Sequence, residues 1–282
     1  MTVTEAYQQA AAELKESAST SPLLDAEVLL CFVLGYTKEQ MVNNRLTQVP
    51  PAKIPKYNEL LKERKKGMPV AYLTGKREFY GYQFKVNKHV LIPRPETETL
   101  VDRIVFELKG KHNLKILDIG TGSGNIIVSL AKTLSNNNKY FGSDESARAL
   151  SVAEENADAN RVKVTFIRSD LTKNTGTAYD VIIANLPYLP AILDESIKFE
   201  PKHALVAEKR GLALYERLFA ELAESNNRPV LYLEFGHDQA EDIRALVANH
   251  LPEAQTEIFK DLSGIPRFAR IWIKNSAYSK YL

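Results

Sequence analysis

Apolar positions recur at helical spacing through roughly the first seventy residues. Tyr7, Ala10, Ala11 and Leu14 mark a first helix. Ser21-Pro22 opens a second, with Leu23, Leu24, Val28, Leu29 and Phe32 apolar and Gly35 as its stop. Thr37 is placed to cap a short third helix through Met41, and a fourth spans residues 52–66. The basic run Lys62-Glu63-Arg64-Lys65-Lys66 closes that helix, where it complements the dipole as a solvated end rather than a binding patch. A small helical bundle follows from this pattern, and no chemistry does.

The texture changes at Pro69. Residues 78–86 alternate partly in a strand-like way, Asn87-Lys88 can turn, and Val90-Leu91-Ile92 can return, which predicts a hairpin joining two domains. Pro95 with Glu96 and Glu98 behind it starts a helix whose stripe is Val101, Ile104, Val105 and Leu108. From Leu114 the pattern is βαβ. A strand over 114–119 runs into Gly120-Thr121-Gly122-Ser123-Gly124 and a helix over 125–134. A second strand over 140–143 ends at Asp144, and a helix over 147–159 leads to a third strand at 162–167, followed by Asp170. The fourth strand, 179–184, stops at Asn185 and Pro187. Beyond it the spacing predicts a helix at 211–222, a strand at 230–235, a helix at 238–247 and two strands at 257–260 and 268–273. The last two form an antiparallel pair added to a parallel sheet.

Composition narrows the function. A chain of 282 residues accommodates two domains, and 44% hydrophobic with 26% charged residues describes an ordinary soluble protein. A net charge of +2 gives no bulk electrostatic argument for nucleic acid. Cys31 stands alone, so no internal disulfide forms, and the five histidines lack metal-ligand spacing. No apolar run reaches membrane-spanning length and residues 1–14 carry no signal-peptide pattern. A cytoplasmic, monomeric, metal-independent protein is expected.

Two loops carry the candidate chemistry. Glycines at 120, 122 and 124 let backbone approach a ligand that a Cβ would push away, and Asp144, twenty residues after Gly124, can accept both hydroxyls of a ribose. The spacing is G-x-G-x-G, whereas the pyrophosphate fingerprint is G-x-G-x-x-G, so a dinucleotide oxidoreductase is the weaker reading. S-adenosylmethionine carries adenosine without phosphates and needs the turn and the acid alone. The second loop is Asn185-Leu186-Pro187-Tyr188, which by itself reads more readily as a strand-ending turn. It offers a carboxamide, a backbone carbonyl, a rigid bend and an aromatic face, a set that suits a planar amino group. With the glycine loop, it favours amino-directed methyl transfer. His237, after a strand, is read as a surface residue, and Arg94 and Thr97 as helix-start residues, a reading to which the family resemblance given next opposes, with equal weight, the lining of a site entrance.

The chain resembles the HemK/PrmC family, the N5-glutamine methyltransferases of peptide chain release factors, over essentially its whole length. The residues that carry the resemblance are Pro69-Val70-Ala71-Tyr72-Leu73, Glu78-Phe79-Tyr80-Gly81, Leu91-Ile92-Pro93-Arg94-Pro95-Glu96-Thr97-Glu98, Leu117-Asp118-Ile119-Gly120-Thr121-Gly122-Ser123-Gly124 and the Asn185 loop. Glu200-Pro201 to Gly211-Leu212 and Leu233-Glu234-Phe235-Gly236 also fit. The resemblance implies a helical N-terminal domain for substrate recognition (1–75), a linking hairpin (76–93) and a Rossmann-like, seven-stranded class I α/β methyltransferase domain (94–282). It implies that Gly120, Thr121, Gly122, Ser123, Gly124, Asp144, Asp170, Leu171 and Asn185 hold S-adenosylmethionine, with Leu171 against the adenine and Asp170 near its amino group. Asn185, Leu186, Pro187 and Tyr188 would hold the glutamine of the release factor's Gly-Gly-Gln motif, with Asn185 and Tyr188 catalytic.

Leu186 departs from the family, which usually has Pro there, and Asn-Leu-Pro-Tyr is also the form seen in ribosomal RNA adenine dimethyltransferases. Those enzymes lack the helical domain and the Ile92–Glu98 run. Leu supplies the same carbonyl as Pro, and Pro187 still holds Leu186 extended, but the fixed φ is lost, so a looser loop is expected. The alternatives are a methyltransferase acting on another amino group (a ribosomal-protein glutamine or a nucleic-acid adenine) and a non-enzymatic nucleotide-binding module.

Overall fold

The computed structural model describes residues 1–17, 19–134, 137–176, 178–191, 197–225 and 227–273. The chain forms two compact units, one built mainly from Met1–Lys76 and the other mainly from Arg77 onward. The end of the expected methyltransferase domain, 274–282, lies outside the described residues.

The first unit is helical. Helices α1 (Val3–Lys15) and α3 (Lys38–Asn43) begin in reciprocal capping boxes, Thr2 with Glu5 and Thr37 with Gln40. Between them α2 (Pro22–Leu34) ends at Gly35, whose φ of 74° is the left-handed stop the glycine suggests. After a 3-10 turn, α4 (Ile54–Lys65) runs into α5 (Val70–Thr74). Five residues are too few to register a helical period, which is why α5 escapes the sequence pattern. The core holds Leu14, Ala26, Leu29, Leu30, Tyr57, Leu60 and Leu61, and the Tyr57 hydroxyl donates to the Ala26 carbonyl at 3.1 Å. Leu23, Leu24 and Phe32 are exposed, whereas Ala26, Leu29, Leu30 and Val33 are buried. Of the apolar positions named for α2, Leu29 is buried whereas Leu23, Leu24 and Phe32 are not, because a helix apolar on nearly every side does not announce its inner face.

The second unit opens with strands β1 (Lys76–Phe79) and β2 (Tyr82–Lys85). The predicted hairpin is corrected here: its turn is Tyr80-Gly81, with φ of 53° and 73°, and residues 90–92 form no strand. Positive φ at both central residues is the geometry of a two-residue hairpin turn, so the glycine punctuates a run that alternation alone reads as one strand. The elements that follow are α6 (Thr97–Leu108), β3 (Lys115–Ile119), α7 (Asn125–Leu134), β4 (Lys139–Asp144), α8 (Ala147–Asn160), β5 (Val164–Arg168) and β6 (Val181–Ala184). Then come α9 (Glu208–Gly211), α10 (Ala213–Glu224), β7 (Val230–Glu234), α11 (Ala240–His250), β8 (Ala254–Lys260) and β9 (Pro266–Ile273).

The sheet order is β5-β4-β3-β6-β7-β9-β8. The last two strands form the expected antiparallel pair at the end of the sheet; of the two it is β9, the later in sequence, that lies inside, between β7 and β8, and it alone runs against the rest. Helices cover both faces, burying one cluster around Leu100, Ile104, Ile127 and Tyr232 and another around Leu117, Ile182, Tyr215 and Leu233. The continuous run Val181-Ile182-Ile183-Ala184 is buried throughout, as a central strand covered on both faces requires. From β3 the chain winds outward through β4 and β5, then returns to place β6 on the other side of β3. That reversal is a topological switch point, and a crevice opens there beyond the carboxyl ends of the strands. Among the described residues no helix is long and apolar enough to cross a membrane.

Candidate active site

Ile119 and Ala184 pair across the switch point, so the loops that follow β3 and β6 leave the sheet side by side. The cleft they share encloses about 750 Å3, open solvent at its mouth included. Its lining includes Gly120, Gly122, Asp144, Asp170, Leu171, Asn185, Leu186 and Pro187, drawn from both predicted loops and from two further strand ends.

The glycine loop divides its labour. Gly120 and Gly122 line the cleft, with φ of 69° and 55°. A Cβ on Gly120 would come within 3.1 Å of the Leu186 side chain, so this glycine sets the spacing between the two loops. Gly122 donates its N–H to the Asp144 carboxylate at 3.0 Å, and Ser146 donates to the other oxygen at 2.9 Å. The loop amides at 121 and 124 are also bonded within the protein, to the carbonyls of Ser143 and Thr121. This turn is organised around an acid, not around a phosphate. Thr121, Ser123 and Gly124 are absent from the lining: the Thr121 hydroxyl donates to Asp118 at 2.7 Å, Ser123 bonds Asn125, and Gly124 lies against Ala153 of α8.

The second loop is held from outside. Leu186 donates its N–H to the Tyr215 hydroxyl at 3.1 Å, and that hydroxyl donates in turn to the Glu234 carbonyl. The expectation of a loosened loop is revised by this bond, since proline would have no N–H to give. The Leu186 side chain is buried in the core that also contains Tyr215. The Tyr188 carbonyl accepts from Gln239 at 2.9 Å, and Leu189 exchanges two backbone bonds with Leu205 and Ala207. The Tyr188 phenol points to Glu234 at 3.4 Å and does not line the cleft. Asn185 is half-buried and faces the cleft, where its carboxamide is available to a ligand.

Other walls come from segments that sequence reasoning left outside the site. His89, Val90 and Leu91 line one side, and His203 and Ala204 another. Glu200, buried, accepts the Ile92 N–H at 3.0 Å and the Arg94 guanidinium at 2.6 Å, tying the Pro93–Glu98 run to the segment after the Asn185 loop. Arg94 thus has a partner at the site and Thr97 donates to Glu234 at 2.7 Å, while His237 is exposed. The Asp170 carboxylate is engaged by Arg217, at 2.7 and 2.8 Å, and by Lys173 at 2.6 Å. Leu171 sits beside it with φ of 50°, a left-handed conformation uncommon for a bulky side chain, and such strain collects at ligand sites. Glu200 and Glu234 are the misses. Their signal was present, since each acid falls at a strand end or in a matching motif, but a linear pattern cannot show which acids are buried.

Burial dominates the electrostatics. It pushes Asp118 up to about 7, with the Thr121 hydroxyl and the Ile127 amide opposing and Asp144 reinforcing the shift. Asp144 is raised for the same reason, with the amides of Ser146 and Gly122 resisting. At Asp118 the folded chain holds a proton that the unfolded chain releases near pH 4. The group's cost to stability therefore grows as pH rises from about 4 to about 7, then levels off. Asp118→Asn is expected to melt progressively higher than wild type across that window, with a constant difference above it. Parallel thermal melts from pH 4 to 8 check this, and a difference independent of pH contradicts it.

Sheet order, cleft position and an acid-centred glycine turn together define a class I methyltransferase. In agreement, residues 97–199 match the methyltransferase small domain, and residues 5–75 match the PrmC N-terminal domain. The chain is 34% identical over 280 residues to the release factor glutamine methyltransferase of Bacillus cereus, covering 95% of this chain and 98% of that one. It is 35% identical over 281 residues to that of Burkholderia pseudomallei, covering 95% and 97%. The chain belongs to the release factor glutamine methyltransferase family. The ribosomal protein L11 methylase of Lactobacillus delbrueckii subsp. bulgaricus shares the fold, with a TM-score of 0.51 at 18% identity over 67% of this chain and 84% of that one.

Proposed function

We propose that the chain transfers the methyl group of S-adenosylmethionine to the side-chain amide nitrogen of the glutamine in the Gly-Gly-Gln loop of a peptide chain release factor. The observation that carries this reading is the seating of Asn185, Leu186 and Pro187 beside Gly120 in one cleft, which supports an amide-holding role for the one loop and a cofactor-holding role for the other. The donor set fits S-adenosylmethionine: Gly120 and Gly122 leave backbone open to a close ligand, Asp144 retains lone pairs for ribose hydroxyls, and no phosphate cradle is formed. Bound there, S-adenosylmethionine supplies an electrophilic methyl group. Asp170 and Leu171 bound the part of the cleft that would take the adenine, Leu171 by apolar contact.

A carboxamide nitrogen is a weak nucleophile because its lone pair is delocalised into the carbonyl. The Asn185 side-chain oxygen and the Leu186 carbonyl accept its two N–H bonds and stabilise positive charge as it develops on nitrogen. Tyr188, which lies outside the lining of the cofactor cleft, would pack on the amide plane and aim the nitrogen once the acceptor is bound. Alignment of this kind supplies about 7–11 kcal/mol of a barrier. The helical unit serves as the recognition domain for the protein acceptor, joined through the 76–93 segment to the catalytic domain.

The test presents labelled S-adenosylmethionine with three acceptors in separate reactions: a release factor, ribosomal proteins and ribosomal RNA. Label on the release factor alone is the expected result. Label on ribosomal protein or RNA instead would move the assignment to another amino-group acceptor.

A further inference from the structure

Resting on that functional reading, we propose that Glu234 is a positioning residue: its carboxylate holds the Tyr188 phenol and thereby aims the ring that packs on the acceptor amide. Glu234 ends β7, the strand next to β6, and is 2% exposed. Its Oε2 accepts the Thr97 hydroxyl at 2.7 Å, and its Oε1 faces the Tyr188 hydroxyl at 3.4 Å. Among the described residues it has no ion-pair partner within 4.0 Å. A buried carboxylate with no cation in direct contact is a poor device for stability alone, because Arg267, facing it from beyond ion-pair distance, and the hydrogen bonds repay its desolvation only in part. The residues it does touch are a helix-start hydroxyl and the aromatic residue of the proposed substrate loop.

The rest of that loop is already fixed by other means. Gln239 holds the Tyr188 carbonyl, Tyr215 holds the Leu186 N–H, and Gly211 lets the chain pass against the Tyr188 backbone. With the backbone pinned, the contact at the phenol decides where the far end of the ring points. Burial, reinforced by Glu234, keeps the Tyr188 phenol protonated far above neutrality, so it is the donor whenever Glu234 is ionised. An ionised carboxylate accepts from both Thr97 and Tyr188, and bonds to a charged acceptor are the stronger kind. Once protonated, it carries a hydrogen of its own and can no longer accept from both without competition.

The titratable and hydrogen-bonding groups around the Glu234–Tyr188 pair come from several elements. Thr97 and Glu96 belong to the start of α6, Arg94 lies just ahead of them, Arg267 faces from β9, and Tyr188 and Tyr215 complete the surroundings. Burial pushes Glu234 up to about 7, with Thr97 and Arg267 opposing it and Glu96 adding to it. Its folded-state ionisation therefore falls between pH 6 and 9, the span of the experiment below. The ionised form holds the ring, so turnover is expected to rise with pH through about 7.

The experiment measures kcat, KM for the release factor and cofactor affinity from pH 6 to 9 for wild type, Glu234→Gln, Thr97→Val and Tyr188→Phe, and for the double variant Glu234→Gln/Tyr188→Phe. Glu234→Gln is expected to lose roughly tenfold in kcat, the scale of one hydrogen bond to a charged group, with cofactor affinity unchanged and the rise near neutrality gone. The loss should vanish in the Tyr188→Phe background, where no phenol remains to be held. Thr97→Val, which removes a donor to the carboxylate, should move the rise to higher pH; it provides the test if the Gln variant does not fold. Wild-type kcat and pH profile in Glu234→Gln, an equal loss with and without the phenol, or an unmoved midpoint in Thr97→Val overturns the proposal. A wild-type enzyme that binds cofactor but leaves the release factor unmethylated counts instead against the functional reading beneath it.

Discussion

Replacing Asn185 by alanine lowers turnover by about a hundredfold to a thousandfold, the cost of removing one preorganised group that stabilises developing charge. Cofactor affinity stays close to wild type, because the turn at Gly120 and Gly122 and the Asp144 carboxylate are built without the Asn185 side chain. The backbone of the loop should also survive, since it is tied down through Leu186 to Tyr215 and through Tyr188 to Gln239. The loss therefore falls on kcat rather than on folding. Single-turnover rates beside equilibrium cofactor binding separate the two. Retained turnover removes Asn185 from the chemistry, and lost cofactor binding makes it a cofactor residue first.

Gly211→Ala is expected to damage both fold and activity. At this position φ is 87°, and a Cβ would stand 1.9 Å from the Tyr188 carbonyl oxygen and 2.4 Å from its carbon. Both atoms are backbone, so no side-chain rotation relieves the collision. Either the Tyr188 segment moves away, breaking the Gln239 bond, or α9 and the start of α10 shift. Overpacking together with an unfavourable left-handed alanine costs about 2–4 kcal/mol. A lowered melting temperature with turnover reduced beyond what the unfolded fraction explains is the expected pair of results. Wild-type values for both would show that the loop does not depend on this close approach.

Much of the architecture was legible because the relevant signals are local. The α7 boundaries at 125 and 134 follow from a glycine turn and a strong apolar stripe, and the buried run at β6 needed only β-branched residues ending at Asn and Pro. The hairpin was misplaced where alternation and a glycine turn compete within the same few residues. The reversed β9 was invisible as an insertion, because strand order depends on pairing partners and not on the pattern within any strand. At the site, the residues that touch the cleft were easier to read than those that hold them. Asn185 and Asp144 follow visible strand ends, whereas Tyr215, Gln239 and Glu200 act across 29, 51 and 108 residues of chain. Nothing local distinguishes Tyr215 from any other core aromatic. Leu186 shows the same limit from the other side: its substitution for proline reads as a loss until Tyr215 is seen to take the N–H that proline lacks.

The central claim is that one glutamine amide of a release factor is the methyl acceptor. The most direct measurement incubates the purified chain and methyl-labelled S-adenosylmethionine with the release factor of its own host, intact and with the glutamine of the Gly-Gly-Gln loop replaced. Label incorporated into the intact factor and absent from the replaced one is the predicted result. Equal label in both, or label in neither while RNA or ribosomal protein is modified, would contradict the assignment.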